Sequence, residues 1–292
     1  MQIHERIRSE KDNTEKFVFK LQDDLLAEFS YIDKEDGKII ICVSTQTGCR
    51  MRCKFCHLTM EKNLQTIRGI YDFEIQRAVE FILEARKPID RHRKTLLISY
   101  MGAGEPLENV ENITQSARYI EDEQSEMFDT VRFAVATMIP KNRIEELFEL
   151  VRGMRRQQLK LHYSLHTMDP DERKEVMPNS LSGEFGIMLL KYIAERYYNV
   201  KLEIHYTLIK EFNDYPEDIK KLAELMIPTK FIKLATKEGY DGEPTDFDKY
   251  TDECIPAFKA VNNFCEYYDP PGADVGASCG QIHIASYRRD DE

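Results

Sequence analysis

Cys49, Cys53 and Cys56 stand in a Cys-x3-Cys-x2-Cys spacing on a segment that also carries Gly48, Arg50, Arg52 and Lys54. Thiolates this close can hold a metal centre. Structural zinc normally takes four protein ligands in two pairs, and His57, adjacent to Cys56, is poorly placed to close a tetrahedron. A four-iron cluster on three cysteines instead leaves one iron without a protein ligand, where a small molecule can chelate. Phe55, just before the last cysteine, can shield such a cluster from water or simply pack in a core.

Met101-Gly102-Ala103-Gly104-Glu105-Pro106 forms a second chemical segment at the end of an apolar, β-branched run. Its glycines let the backbone approach a ligand closely, Glu105 can accept hydrogen bonds from an amino group, and Pro106 stiffens the exit. Cys42 lies on the run before the cysteine loop, while Cys254 and Cys265 on the last helical pattern read as packing thiols.

Positioning these segments requires regular elements, and the chain alternates β-branched runs with helical patterns. Strands are predicted over 38–43, 95–100, 131–136, 159–165, 200–209 and 231–235. Helices are predicted over 72–86, 110–122, 142–152, 183–196, 215–226 and 246–264. Pro140 precedes one helix, Asn213-Asp214 reads as a cap, and Pro228 closes the helix ending at Met226. Successive βα units predict an α/β fold, a parallel sheet closing into a barrel or partial barrel with its site at the carboxyl ends of the strands. Residues 1–37 read as a short N-terminal extension and 38–292 as the catalytic domain.

The 292 residues are 42% hydrophobic and 32% charged, which excludes disorder, collagen and a small disulfide scaffold. No apolar run approaches the roughly 18–20 residues of a membrane span. Seven cysteines, three of them clustered, predict ligands or catalysts in a reducing compartment, hence a cytoplasmic protein. A formal charge of −11 argues against holding nucleic acid by bulk positive charge. Basic segments at 50–54, 86–94, 152–160 and 288–289 remain local candidates for phosphate contact, with Arg50 and Arg52 flanking the site.

Cys-x3-Cys-x-Phe-Cys followed by a Gly-x-Gly-Glu-Pro strand end resembles the radical-SAM superfamily. More closely, the chain resembles the RlmN/Cfr family of RNA adenine methyltransferases, through Cys42-Val-Ser-Thr-Gln-Thr-Gly-Cys49, Met101-Gly-Ala-Gly-Glu-Pro-Leu-Glu-Asn109, Tyr163-Ser-Leu-His166 with Met177-Pro178, Asn213-Asp214 and Ala277-Ser-Cys-Gly-Gln281. These occur in family order over about residues 28 to 285. The resemblance implies a radical-SAM partial (β/α)6 barrel with short N-terminal and C-terminal extensions.

By this resemblance Cys49, Cys53 and Cys56 bind a [4Fe-4S] cluster whose open iron takes S-adenosylmethionine. Gly104 and Glu105 would hold the cofactor's amino end, and Ser164, Leu165 and His166 would contact the rest of it. Thr137 stands where the family has a serine-rich strand end, and Lys233 where it has an asparagine. Cys279 matches the cysteine that carries the methyl group, Cys42 the thiol that resolves the adduct by forming a disulfide, and Glu28 a proton-accepting glutamate. The implied activity is methylation of an adenine carbon in ribosomal or transfer RNA, C2 ahead of C8 on family frequency, by a monomer supplied by an electron donor. An adenine amidine carbon is not nucleophilic, so the reaction needs radical chemistry carried by the cofactor.

The chain departs from the family in showing nothing comparable to its N-terminal helical RNA-binding domain, and in extra residues after the cysteine loop before Arg68. Two alternatives therefore stand beside the first reading: the same two-cysteine chemistry on a non-RNA substrate, and a non-catalytic iron–sulfur or zinc-binding protein.

Overall fold

The computed structural model describes residues 1–59, 65–86, 95–236, 240–278 and 281. Ten strands form one sheet in sequential order. β1 (Gln2–Arg8), β2 (Thr14–Lys20), β3 (Leu26–Asp33) and β4 (Lys38–Val43) pair antiparallel. β5 (Thr95–Tyr100), β6 (Thr130–Thr137), β7 (Leu159–Ser164), β8 (Val200–Leu208), β9 (Thr229–Lys233) and β10 (Cys265–Tyr268) continue from β4 in parallel. Crossovers carry α1 (Asp72–Ala85), α2 (Val110–Gln124), α3 (Ile144–Gly153), α4 (Pro170–Val176), α5 (Gly183–Arg196) and α6 (Pro216–Ala223).

The period of two along each parallel strand separates two faces. Ile39, Ile41 and Val43 of β4, Leu96 and Ile98 of β5, Leu161 and Tyr163 of β7, and Ile204 and Tyr206 of β8 are buried in one continuous core that includes Ile75, Val79 and Ile82 of α1. Each such side chain contributes about 1.5–3 kcal/mol by leaving water. The intervening residues face a cavity of about 910 Å³ enclosed by the curved sheet, and they are polar as often as apolar: Cys42, Ser99, His162 and His205 all line it.

The fold is the expected α/β partial barrel, with several differences: α4 and β10 are not among the expected elements, and Cys265, read as part of the last helical pattern, begins β10, a seventh parallel strand. The extension over 1–37 is an antiparallel continuation of the barrel sheet, and the boundary at residue 37 falls in the turn between β3 and β4. Its strands escape a hydrophobicity reading because β2 buries charges in pairs: Glu15 meets Arg6 and Arg86, and Lys16 lies 3.7 Å from Glu28. The helix predicted over 246–264 is interrupted into α7 (Phe247–Lys249), a π-turn (Tyr250–Cys254) and α8 (Ile255–Lys259), and the chain then enters β10. Pro256, without an N–H, suits the first turn of α8 but not a helix interior. Among the described residues no helix is long and apolar enough to cross a membrane.

Candidate functional site

The cysteine loop leaves the carboxyl end of β4 and settles on α4. Lys54 N donates to Val176 O (2.9 Å), and Asn179 Nδ2 donates to Met51 O (3.2 Å). Cys49, Cys53 and Phe55 pack into a small apolar group formed by Met51, Met138, Val176 and Met177. Burial and the neighbouring Cys56 push the thiols of Cys49 and Cys53 well above the ordinary cysteine range. Interacting thiolates in such a bowl repel one another until a cationic centre neutralises them, which fits the donor set of an iron–sulfur cluster.

The strand end after β5 stands directly beside this bowl. Gly104 adopts φ +107°, and a Cβ there would lie 2.6 Å from Thr45 Oγ1, so glycine is required. The turn is locked by Glu105 N donating to Gln46 Oε1 (2.8 Å) and Ala103 N donating to Ser44 Oγ (2.9 Å). Glu105 itself is buried. Its Oε1 accepts from Thr137 Oγ1 (2.6 Å) and Leu107 N (3.1 Å), and its Oε2 accepts from Met138 N (3.3 Å). Burial pushes the carboxyl up to about 7, with these donors opposing the rise.

At the end of β7, His166 has φ +59° and is buried with its ring edge-on to Phe55 at 5.0 Å. Its Nδ1 accepts from Thr207 N (2.9 Å), and its carbonyl accepts from Asn213 Nδ2 (2.5 Å). Burial and the nearby Arg173 cation push the imidazole down to about 3, so it is neutral. Ser164, His166, Phe55, Ala136 and Lys233 line a second cavity of about 150 Å³ between the cysteine loop and the strand ends. The Leu165 side chain lies in the core instead, and its backbone faces Arg173. Lys233 Nζ is held 2.9 Å from Asp269.

Asn213 and Asp214 do not cap α6 as expected, since the residue before that helix is Tyr215 and offers no side-chain cap. Asn213 ties His166 to β8, while Asp214 accepts from Lys249 Nζ (2.8 Å) and Thr245 Oγ1 (3.0 Å). Cys254 packs in the core beside Asp214 O, consistent with a packing thiol.

Glu28 on β3, Cys42 on β4, Met101 and Ser278 line a third, small cavity of about 20 Å³. Cys42 also opens onto the large cavity. Cys279, and the basic stretches at 87–94 and 288–289, lie outside the described residues. Arg50 is exposed and donates to Ile67 O (2.7 Å).

Sequence reasoning missed Arg173. Its guanidinium is buried under the site and donates to Leu181 O (2.9 Å), Ser164 O (3.2 Å), Met138 O (3.3 Å) and Tyr163 Oη (3.1 Å). Nothing in the polar α4 sequence distinguishes it from a surface arginine. Gln46 was also missed, although it sits inside a motif segment.

No protein-family model matches the chain. It is similar to the probable dual-specificity RNA methyltransferases RlmN of Pseudothermotoga lettingae, 31% identical over 94% of this chain and 76% of that protein, and of Clostridium acetobutylicum, 29% identical over 96% and 78%. A solved radical-SAM methyltransferase from Sphaerobacter thermophilus shares the fold, with a TM-score of 0.79 at 24% identity over 97% of this chain and 81% of that one.

Proposed function

Because the chain belongs to the RlmN family of radical-SAM methyltransferases, we propose that it is an RNA methyltransferase that methylates an adenine carbon, C2 before C8, with Cys279 as methyl carrier and Cys42 as resolving thiol. The single observation carrying the two-cysteine reading is that Cys42, Glu28 and Ser278 line one small cavity.

Cys49, Cys53 and Cys56 would hold the [4Fe-4S] cluster, and the cavity bounded by Ser164, His166 and Lys233 would take S-adenosylmethionine beside it, with Glu105 toward the amino end. When bound, these groups supply the methyl group and the radical that an unreactive aromatic carbon requires. Phe55 and His166 exclude water from that side. Thr137 positions the Glu105 carboxylate through its 2.6 Å hydrogen bond. Glu28, beside Cys42 and charge-balanced by Lys16, would accept the proton released from the adenine carbon. The Cys42 thiolate then attacks the Cys279 sulfur. One S–S bond forms and the bond from that sulfur to the methylene carbon breaks; the electron pair passes to that carbon, which takes up a proton to become the methyl group, and the disulfide awaits two-electron reduction by an electron donor.

RNA as substrate is supported by the RNA methyltransferase relatives, and Arg132, Arg155, Arg156 and Lys201 among the residues lining the large cavity are candidates for phosphate contact. Mass analysis of Cys42→Ala and Cys279→Ala protein after expression tests the reading. Cys42→Ala should retain a methylated Cys279 and accumulate protein covalently joined to RNA, whereas Cys279→Ala should show neither. Normal product release by Cys42→Ala would reject the two-cysteine assignment, and the nucleotide digested from the trapped adduct identifies the substrate.

A further inference from the structure

In the wall of the large cavity, away from the cysteine loop, β7 and β8 bring His162, Glu203 and His205 together. His162 and Glu203 are cross-strand partners in the parallel register, and His205 follows two residues along the same face of β8. We propose that His162 Nδ1, His205 Nε2 and Glu203 Oε1 form a binding site for a divalent transition-metal ion, zinc by preference.

The three ligand atoms all lie within 4.8 Å of one another. Glu203 Oε1 is 3.0 Å from His162 Nδ1 and 3.6 Å from His205 Nε2. Ligands about 2.0–2.1 Å from a tetrahedral zinc ion are about 3.3 Å apart, so these separations already bracket a zinc-ligand edge. The residues are only 4%, 8% and 7% exposed, and the nearest polar partners of the three atoms are one another and Lys230, with no well-aligned hydrogen bond to any group outside the cluster. A buried polar atom left in that condition costs about 1–3 kcal/mol, and a shared cation satisfies all three at once. Two imidazoles and one carboxylate select zinc-like ions over magnesium or calcium. Both histidines are among the residues that line the large cavity.

Two lysines share the carboxylate and set the affinity. Lys160 Nζ engages the other oxygen, Oε2, at 2.8 Å and holds the group in orientation. Lys230 Nζ is the competing cation, 3.5 Å from Oε1 and 3.8 Å from Glu266, and an ion at Oε1 displaces it toward Glu266. This competition predicts that removing the Lys230 charge tightens metal binding.

Cobalt(II) and zinc titration of the cluster-loaded protein tests the site, with iron counted in the same samples. The expected result is one cobalt per chain with an absorption spectrum lacking thiolate charge transfer, displaced by zinc. His162→Gln and Glu203→Gln should each weaken binding by about a hundredfold or more while leaving the iron content and melting temperature intact. If either variant fails to fold, Lys230→Met carries the test, since it should bind cobalt several-fold more tightly. A thiolate spectrum, absence of cobalt binding to the folded wild type, unchanged affinity in a folded His162→Gln or Glu203→Gln protein, or weaker binding by Lys230→Met would overturn the proposal.

Discussion

Replacing Glu105 by Gln tests whether its buried carboxyl is a ligand-facing acid held in reserve. The side chain is 3% exposed, and burial raises it from 4.5 to about 7. An acid whose folded pKa is raised stabilises the fold fully below its unfolded pKa and loses that contribution as pH rises through the folded one. The window is therefore about pH 4.5 to 7. A shift of that size corresponds to roughly 3 kcal/mol at about 1.4 kcal/mol per unit. Glutamine keeps the shape and the acceptor for Thr137 without the titration. Denaturant unfolding of cluster-free protein at a series of pH values should show wild type losing about 3 kcal/mol relative to Glu105→Gln between pH 4.5 and 7, with no further divergence above. S-adenosylmethionine binding to cluster-loaded protein should strengthen as pH rises through 7 in wild type, because the cofactor's ammonium prefers the ionised carboxylate, and Glu105→Gln should lose that dependence. A pH-independent difference in unfolding free energy, together with unchanged cofactor affinity in the folded variant, would refute the reasoning.

Arg173→Leu should cost about 2–4 kcal/mol in urea unfolding, because it orphans the Leu181, Ser164 and Met138 carbonyls. His166, held down to about 3, contributes stability that is present above about pH 6.5 and lost as pH falls toward 3. His166→Gln should consequently flatten acid unfolding by about 1.4 kcal/mol per pH unit in that window, read from the same pH series. Cys53→Ala should abolish retention of an oxygen-sensitive cluster, measured by iron and sulfide content; full iron with undiminished cofactor cleavage would remove Cys53 from the ligand set.

The sequence by itself determined the βα alternation and where the chemistry attaches. β4 and β5 match the predicted strands residue for residue, and the cysteine loop and Gly104-Glu105 turn follow them as expected. Those features are legible because they are local: side-chain period, glycine placement and ligand spacing act over a few residues. Tertiary structure alone decided the rest. β2 buries Glu15 and Lys16 because Arg6, Arg86 and Glu28 arrive from other segments to neutralise them. Arg173 becomes the prop beneath the strand ends through carbonyls supplied by Met138, Ser164 and Leu181. The His162, Glu203 and His205 cluster left only a faint trace, polar residues at alternate positions of strands whose parallel pairing would otherwise favour apolar residues on both faces. Which of those alternating residues meet depends on strand order and register, and register is set by long-range pairing that no local pattern encodes.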